Sequence, residues 1–149
     1  MATDAEQQTE SDRSLFGARL LHTMIRVGDL QKSLDFYSGA LGMKQLRRED
    51  YSSSRFTLVF VGYGDEAAHT VIELTHNWDE TGYTHGSGFG HIAIRVNNIQ
   101  AACERLASLD VKILRPPGHM AHTADKGQRD IIAFVEDPDG YKIELIEKR

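Results

Sequence analysis

Several short runs of the chain alternate apolar and polar residues with a period of two, and twice the period lengthens to that of a helix. Residues 20–27 are β-rich and alternate. This predicts a strand with Leu20, His22, Met24 and Arg26 on one face and Leu21, Thr23, Ile25 and Val27 on the other. Leu30, Leu34, Tyr37 and Leu41 then recur at helical spacing, with Asp29 as N-cap and Gly42 as the stop. Strands are predicted over residues 43–48, 56–63 and 70–75, with a turn opening at Tyr63-Gly64-Asp65 between the last two.

The same order returns in the second half. Residues 91–96 read as a strand, Asn98 takes the place of Asp29, and Ile99, Cys103 and Leu106 copy Leu30, Leu34 and Tyr37. Residues 111–114 follow as a strand. Residues 131–136 and 141–147 form a hairpin around Asp137-Pro138-Asp139-Gly140, whose Pro and closing Gly favour a turn over a calcium loop. The reading is therefore α+β: a βαβββ module present twice, over about residues 18–80 and 87–149, joined by the glycine-rich stretch 82–90. Residues 115–129 are expected to be a long loop, and residues 1–17, polar and mixed in charge, a disordered tail.

The repeat carries chemistry. His22 opens one run and His91 its copy; Glu73 and Glu144 each sit in an Ile-Glu-Leu triplet. The offset is 69 residues between the histidines (22 to 91) and 71 between the glutamates (73 to 144), so loop lengths separate the halves. A carboxylate on an apolar strand costs several kcal/mol unless it is paired or binds a cation. Two imidazoles and two carboxylates suit a divalent metal, and mixed N/O ligation favours Zn(II), Ni(II), Co(II) or Mn(II) over Ca(II). The other histidines, 69, 76, 85, 119 and 122, have no matched copies and read mostly as loop or surface residues. Cys103 falls on the core face of its helix and reads as a small buried hydrophobe.

Composition narrows the class. Hydrophobic content of 40% with 26% charged residues is that of a soluble globular protein. A net charge of −5 gives no support to nucleic-acid binding, and no apolar run is long enough to span a membrane. One cysteine precludes an intrachain disulfide, and the opening residues lack the apolar stretch of a signal peptide. Both point to the cytoplasm.

Taken in order, His22-Thr23-Met24-Ile25-Arg26-Val27, Leu34-Asp35-Phe36-Tyr37, Leu41-Gly42-Met43, Glu73-Leu74-Thr75-His76-Asn77-Trp78, Gly88-Phe89-Gly90-His91-Ile92-Ala93 and Phe134-Val135-Glu136-Asp137-Pro138-Asp139-Gly140-Tyr141 resemble the glyoxalase I (lactoylglutathione lyase) family of the vicinal oxygen chelate superfamily. The resemblance covers about residues 20–147. It implies paired modules forming a half-open barrel, in a homodimer whose active sites lie at the subunit interface. His22 and Glu73 of one chain would meet His91 and Glu144 of the other around one metal. The lack of long insertions between the motifs resembles the members that prefer nickel or cobalt, so Ni(II) is the implied metal, with Zn(II) or Co(II) as alternatives.

The implied activity is isomerisation of the methylglyoxal–glutathione hemithioacetal to S-lactoylglutathione. Glu144 is the implied base, loosening from the metal when substrate binds, and Glu73 assists on the opposite face. Arg26 and Asn77 are implied contacts of the γ-glutamyl part, and Arg115 of the glycyl carboxylate from the partner chain. Ser87 stands where some members carry an arginine. Two rival readings share the scaffold: an extradiol dioxygenase or thiol transferase, and a metal-free small-molecule binding protein. Three protein ligands are typical of those enzymes, so a fourth at Glu73 argues against them, and retention of all four positions argues against the binding protein.

Overall fold

The computed structural model describes residues 14–149, so most of the tail expected over residues 1–17 lies outside the described residues. In chain order the elements are β1 (His22–Arg26), α1 (Leu30–Leu34, continuing as a π-helical turn over Asp35–Ala40), β2 (Lys44–Tyr51), β3 (Phe56–Gly62) and β4 (Val71–Asn77). The second set is β5 (His91–Val96), α2 (Ile99–Ser108), β6 (Lys112–His119), β7 (Ile131–Glu136) and β8 (Lys142–Glu147). They build two mixed four-stranded sheets of identical topology, β1-β4-β3-β2 and β5-β8-β7-β6. In each, the first strand runs parallel to the last and the remaining pairs are antiparallel. This is the βαβββ module, twice.

Both helices start as their sequences dictate. The Asp29 carboxylate accepts the Lys32 N–H at 3.1 Å, and the Asn98 side chain accepts the Ala101 N–H at 3.0 Å. They end differently. The first helix widens so that the Leu41 N–H reaches back to the Phe36 carbonyl at 2.9 Å, and Gly42, at φ +74°, turns the chain out. One apolar cluster draws on both modules, with Val27, Tyr37, Val59 and Leu74 from the first and Cys103, Val135, Ile143 and Leu145 from the second. Ile25 and Val27 point into it, while His22, Met24 and Arg26 lie exposed on the other face of β1, as strand alternation requires.

Three boundaries depart from expectation. β2 runs on to Tyr51 through Arg48, Glu49 and Asp50, which an edge strand tolerates because one side meets solvent. β4 continues to Asn77 and so contains His76, which is not in a loop. Arg115 to His119 belongs to β6 and not to the loop expected there. The prolines at 116 and 117 are accommodated because β6 is an edge strand and its register slips on both sides of Arg115.

The turn between β7 and β8 fastens the modules together. Asp137 is buried; its Oδ1 accepts the N–H groups of Asp139 and Tyr141, both at 2.8 Å, and its Oδ2 accepts the Tyr37 hydroxyl at 2.7 Å. Asp139 accepts the Gly28 N–H at 2.8 Å and the Ser33 hydroxyl at 3.4 Å. Any Cβ at Gly28 would strike the Thr81 carbonyl, so the close approach needs glycine. Burial raises the Asp137 carboxyl above its ordinary range, although the Tyr37 hydrogen bond works against the shift. Burial and the adjacent Asp137 push the Tyr37 phenol upward as well.

Candidate active site

Pairing register assembles each ligand pair. His22 lies opposite Val71 on the parallel strand β4, and Glu73 is two residues further on the same face. The imidazole Nε2 and the carboxylate Oε2 are 2.8 Å apart. In the second sheet His91 lies opposite Lys142, Glu144 is again two residues on, and the Nε2–Oε2 distance is 2.6 Å. The two half-sites are thus built by one rule. Their carboxylates are largely sequestered, with side-chain exposures of 14% for Glu73 and 12% for Glu144. Among the described residues, the neighbouring histidine is the ion-pair partner of each carboxylate, and neither meets a lysine or arginine.

An aromatic residue backs each pair. Phe60 on β3 lies opposite Glu73 and meets the His22 ring edge-on at 5.4 Å; Phe134 on β7 lies opposite Glu144 and meets the His91 ring edge-on, also at 5.4 Å. These rings limit the tilt of the imidazoles and shield the carboxylates from water on one side. Sequence reasoning missed them, although the matched positions within Leu-Val-Phe-Val and Ile-Ala-Phe-Val carried a signal. Arg47, opposite Phe60, lays its guanidinium 3.6 Å over that ring and bonds Glu66 at 2.7 Å and Glu49 at 2.5 Å. Those bonds, Glu66 first, raise its pKa further, so it is a fixed cation.

The three implied substrate contacts are placed differently. Arg26 is exposed at the end of β1, on the His22 face. Asn77 is half-buried at the end of β4 and donates from Nδ2 to the Tyr83 hydroxyl at 3.1 Å. Arg115 occupies the position on β6 opposite Phe134 that Arg47 occupies opposite Phe60. Its guanidinium donates to the backbone carbonyls of Gly118 and Ile132 at 3.2 and 3.0 Å and to that of His119 at 2.6 Å, and so holds the irregular end of its own strand. The two His–Glu pairs do not come together within one chain. Among the described residues, no group of three or more His, Cys, Asp or Glu side chains is close enough to share a metal.

The family model for the glyoxalase/bleomycin resistance protein/dioxygenase superfamily matches residues 19–145. The chain is 57% identical over 131 residues to a lactoylglutathione lyase of Neisseria meningitidis, covering 88% of this chain and 91% of the relative. It is 51% identical over 131 residues to one from Escherichia coli O157:H7, at 88% and 93% coverage. The chain belongs to the glyoxalase I family. Among solved structures, glyoxalase I of Leishmania major, described as trypanothione-dependent, superposes with a TM-score of 0.74 at 45% identity, covering 88% of this chain and 87% of that one. Glyoxalase I from Zea mays gives 0.79 at 39% identity and covers 87% of this chain, which spans only 44% of the maize chain.

This glyoxalase I carries a His–Glu pair on one face of each sheet and its apolar packing on the other. The remaining histidines stand apart from both pairs. His69, His119 and His122 are exposed, His76 approaches the Val27 carbonyl through Nδ1 at 3.2 Å, and His85 stacks on Tyr141 with ring centres 4.1 Å apart. Cys103 is buried at 5% exposure, and burial pushes its thiol pKa up, away from reactivity.

Proposed function

We propose that two copies of this chain pool their half-sites, His22 and Glu73 of one facing His91 and Glu144 of the other. Each pooled site binds one divalent cation and isomerises the methylglyoxal–glutathione hemithioacetal to S-lactoylglutathione. The observation that carries the reading is the duplicated His–Glu pair built on one register, with shielded carboxylates that, among the described residues, meet no lysine or arginine. The donor set fits a borderline metal: two imidazole nitrogens and two carboxylate oxygens, with Ni(II) preferred and Zn(II) or Co(II) alternatives. When bound, such a cation supplies Lewis-acid stabilisation of the negative charge that builds on the two adjacent substrate oxygens.

The chain's own residues supply the rest. Glu144 takes the proton from the carbon that bears sulfur and delivers it to the neighbouring carbon, and Glu73 assists on the opposite face. The C–H electron pair shifts into the bond between the two carbons and ends in the new C–H bond at the neighbouring carbon, while the hydroxyl proton passes from the oxygen on the sulfur-bearing carbon to the former carbonyl oxygen, so the isomerisation consumes no other reagent. Arg26 and Asn77 hold the γ-glutamyl part, and Arg115 offers positive charge to the glycyl carboxylate. A cytoplasmic location goes with this reading, supported by a single buried cysteine and a thiol cosubstrate kept reduced there. No helix among the described residues is long and apolar enough to cross a membrane.

The test is metal removal and return. Chelation should abolish turnover of the hemithioacetal, and stoichiometric Ni(II), Zn(II) or Co(II) should restore it, followed by activity and elemental analysis together. Full activity in verified metal-free protein would end the metal assignment.

A further inference from the structure

The linker between the modules touches Asn77 directly and reaches the Arg26 backbone through Tyr141, so it connects to both residues assigned to the γ-glutamyl end of the substrate. Tyr83 accepts the Asn77 amide N–H at 3.1 Å. Two residues later the His85 ring lies flat on Tyr141, 4.1 Å centre to centre and 11° from parallel, and Phe89 meets Tyr141 edge-on at 5.3 Å. The hydroxyl of Tyr141 donates to the Arg26 carbonyl at 2.8 Å. Tyr83, His85, Phe89 and Tyr141, with Met24 and Arg26, line a cavity of about 220 Å³ at the end of β1.

We propose that the linker braces the amino-acid-binding end of the site, with Tyr83 as a positioning residue that sets the Asn77 amide and through it the preference for a thiol carrying an α-amino acid group. This rests on the glutathione reading above. Asn77 is the last residue of β4, and backbone pairing there leaves its side-chain carboxamide free to turn. A free carboxamide samples several orientations about its terminal torsion. A bond from Nδ2 to the half-buried Tyr83 phenol removes that freedom and turns Oδ1 away from Tyr83 as an acceptor suited to an ammonium group. Arg26 and Thr75 are partners across β1 and β4, so Arg26 and Asn77 are separated by one strand spacing and a two-residue step. The linker ties one through Tyr141 and the other through Tyr83, which fixes the gap into which an α-carboxylate and α-ammonium must fit.

The experiment compares Tyr83→Phe with the parent on two hemithioacetals, one from glutathione and one from its deamino analogue, which lacks the α-ammonium group. Loss of one hydrogen bond predicts that KM for the glutathione adduct rises about three- to tenfold with kcat little changed, and that KM for the deamino adduct stays put. On an Asn77→Ala background the same substitution should have no further effect. An equal change for both adducts, a fall in kcat alone, or full additivity with Asn77→Ala would overturn the brace. An active parent with an unaltered Tyr83→Phe variant overturns the brace alone; a parent inactive on the glutathione adduct overturns the activity and the brace together.

Discussion

Glu144 is 12% exposed at its side chain, touches His91 at 2.6 Å and faces Phe134 across the sheet. Replacing its carboxylate with an amide keeps the shape and removes the proposed base. Glu144→Gln is expected to remain folded, with an unchanged circular dichroism spectrum, and to lose about 10²- to 10⁴-fold in kcat. Activity near the parent's would remove Glu144 from the role of base. At this scale the sequence was informative because duplication marks residues in pairs: His22 with His91 and Glu73 with Glu144 could be read without coordinates. The aromatic backing at Phe60 and Phe134 was equally duplicated, but an aromatic residue on an apolar strand has an ordinary packing explanation and so drew no attention.

The Asp137–Gly140 turn shows what an element contributes beyond its own hydrogen bonds. Tyr37 has no exposed surface, and its hydroxyl satisfies a buried carboxylate from the other module. Tyr37→Phe should destabilise the fold by about 1–3 kcal/mol in denaturant titration, because it leaves one Asp137 oxygen buried without a donor. The sign of the pH dependence follows from the raised Asp137 pKa. The contribution of this group to stability is fully present below its unfolded-state value and is lost as pH rises through the folded value. The Tyr37 bond opposes that rise, so the deficit of Tyr37→Phe should grow as pH climbs through the same window. A deficit constant from acid to neutral pH would count against an ionised Asp137 as the acceptor.

Elements were legible where the period of two or of 3.6 was uninterrupted, as in β5, whose limits match expectation. They were less legible where long-range pairing decided the matter. The prolines of β6 read as loop until the edge position and slipped register were known, and the π-helical end of the first helix has no signal in side-chain spacing alone. The links from Asp137 and Asp139 to the first module span about a hundred residues of chain, beyond the reach of any local pattern.

Across the whole molecule, the two His–Glu pairs of one chain remain separate, so a four-ligand centre requires a second copy. Mixing His22→Ala and His91→Ala proteins tests this. A heterodimer of the two carries one site with both defects and one with none, and should recover about half the activity of a parental dimer, as two-fold symmetry requires. Absence of recovery after subunit exchange has been verified by mass spectrometry would exclude a shared centre.

The edges of the two sheets bear on where that second copy can sit. β2 presents Arg47, Arg48, Glu49 and Asp50 along one outer margin, and β6 presents Pro116 and Pro117, which have no N–H to offer, along the other. Both margins are thereby made poor templates for strand addition, which discourages uncontrolled growth into aggregates. β1 and β5 are the opposite margins, and each of them begins with the histidine of a His–Glu pair. The margins built to resist strand addition are thus not the ones that carry the histidines which a partner copy, in the proposed dimer, would have to reach.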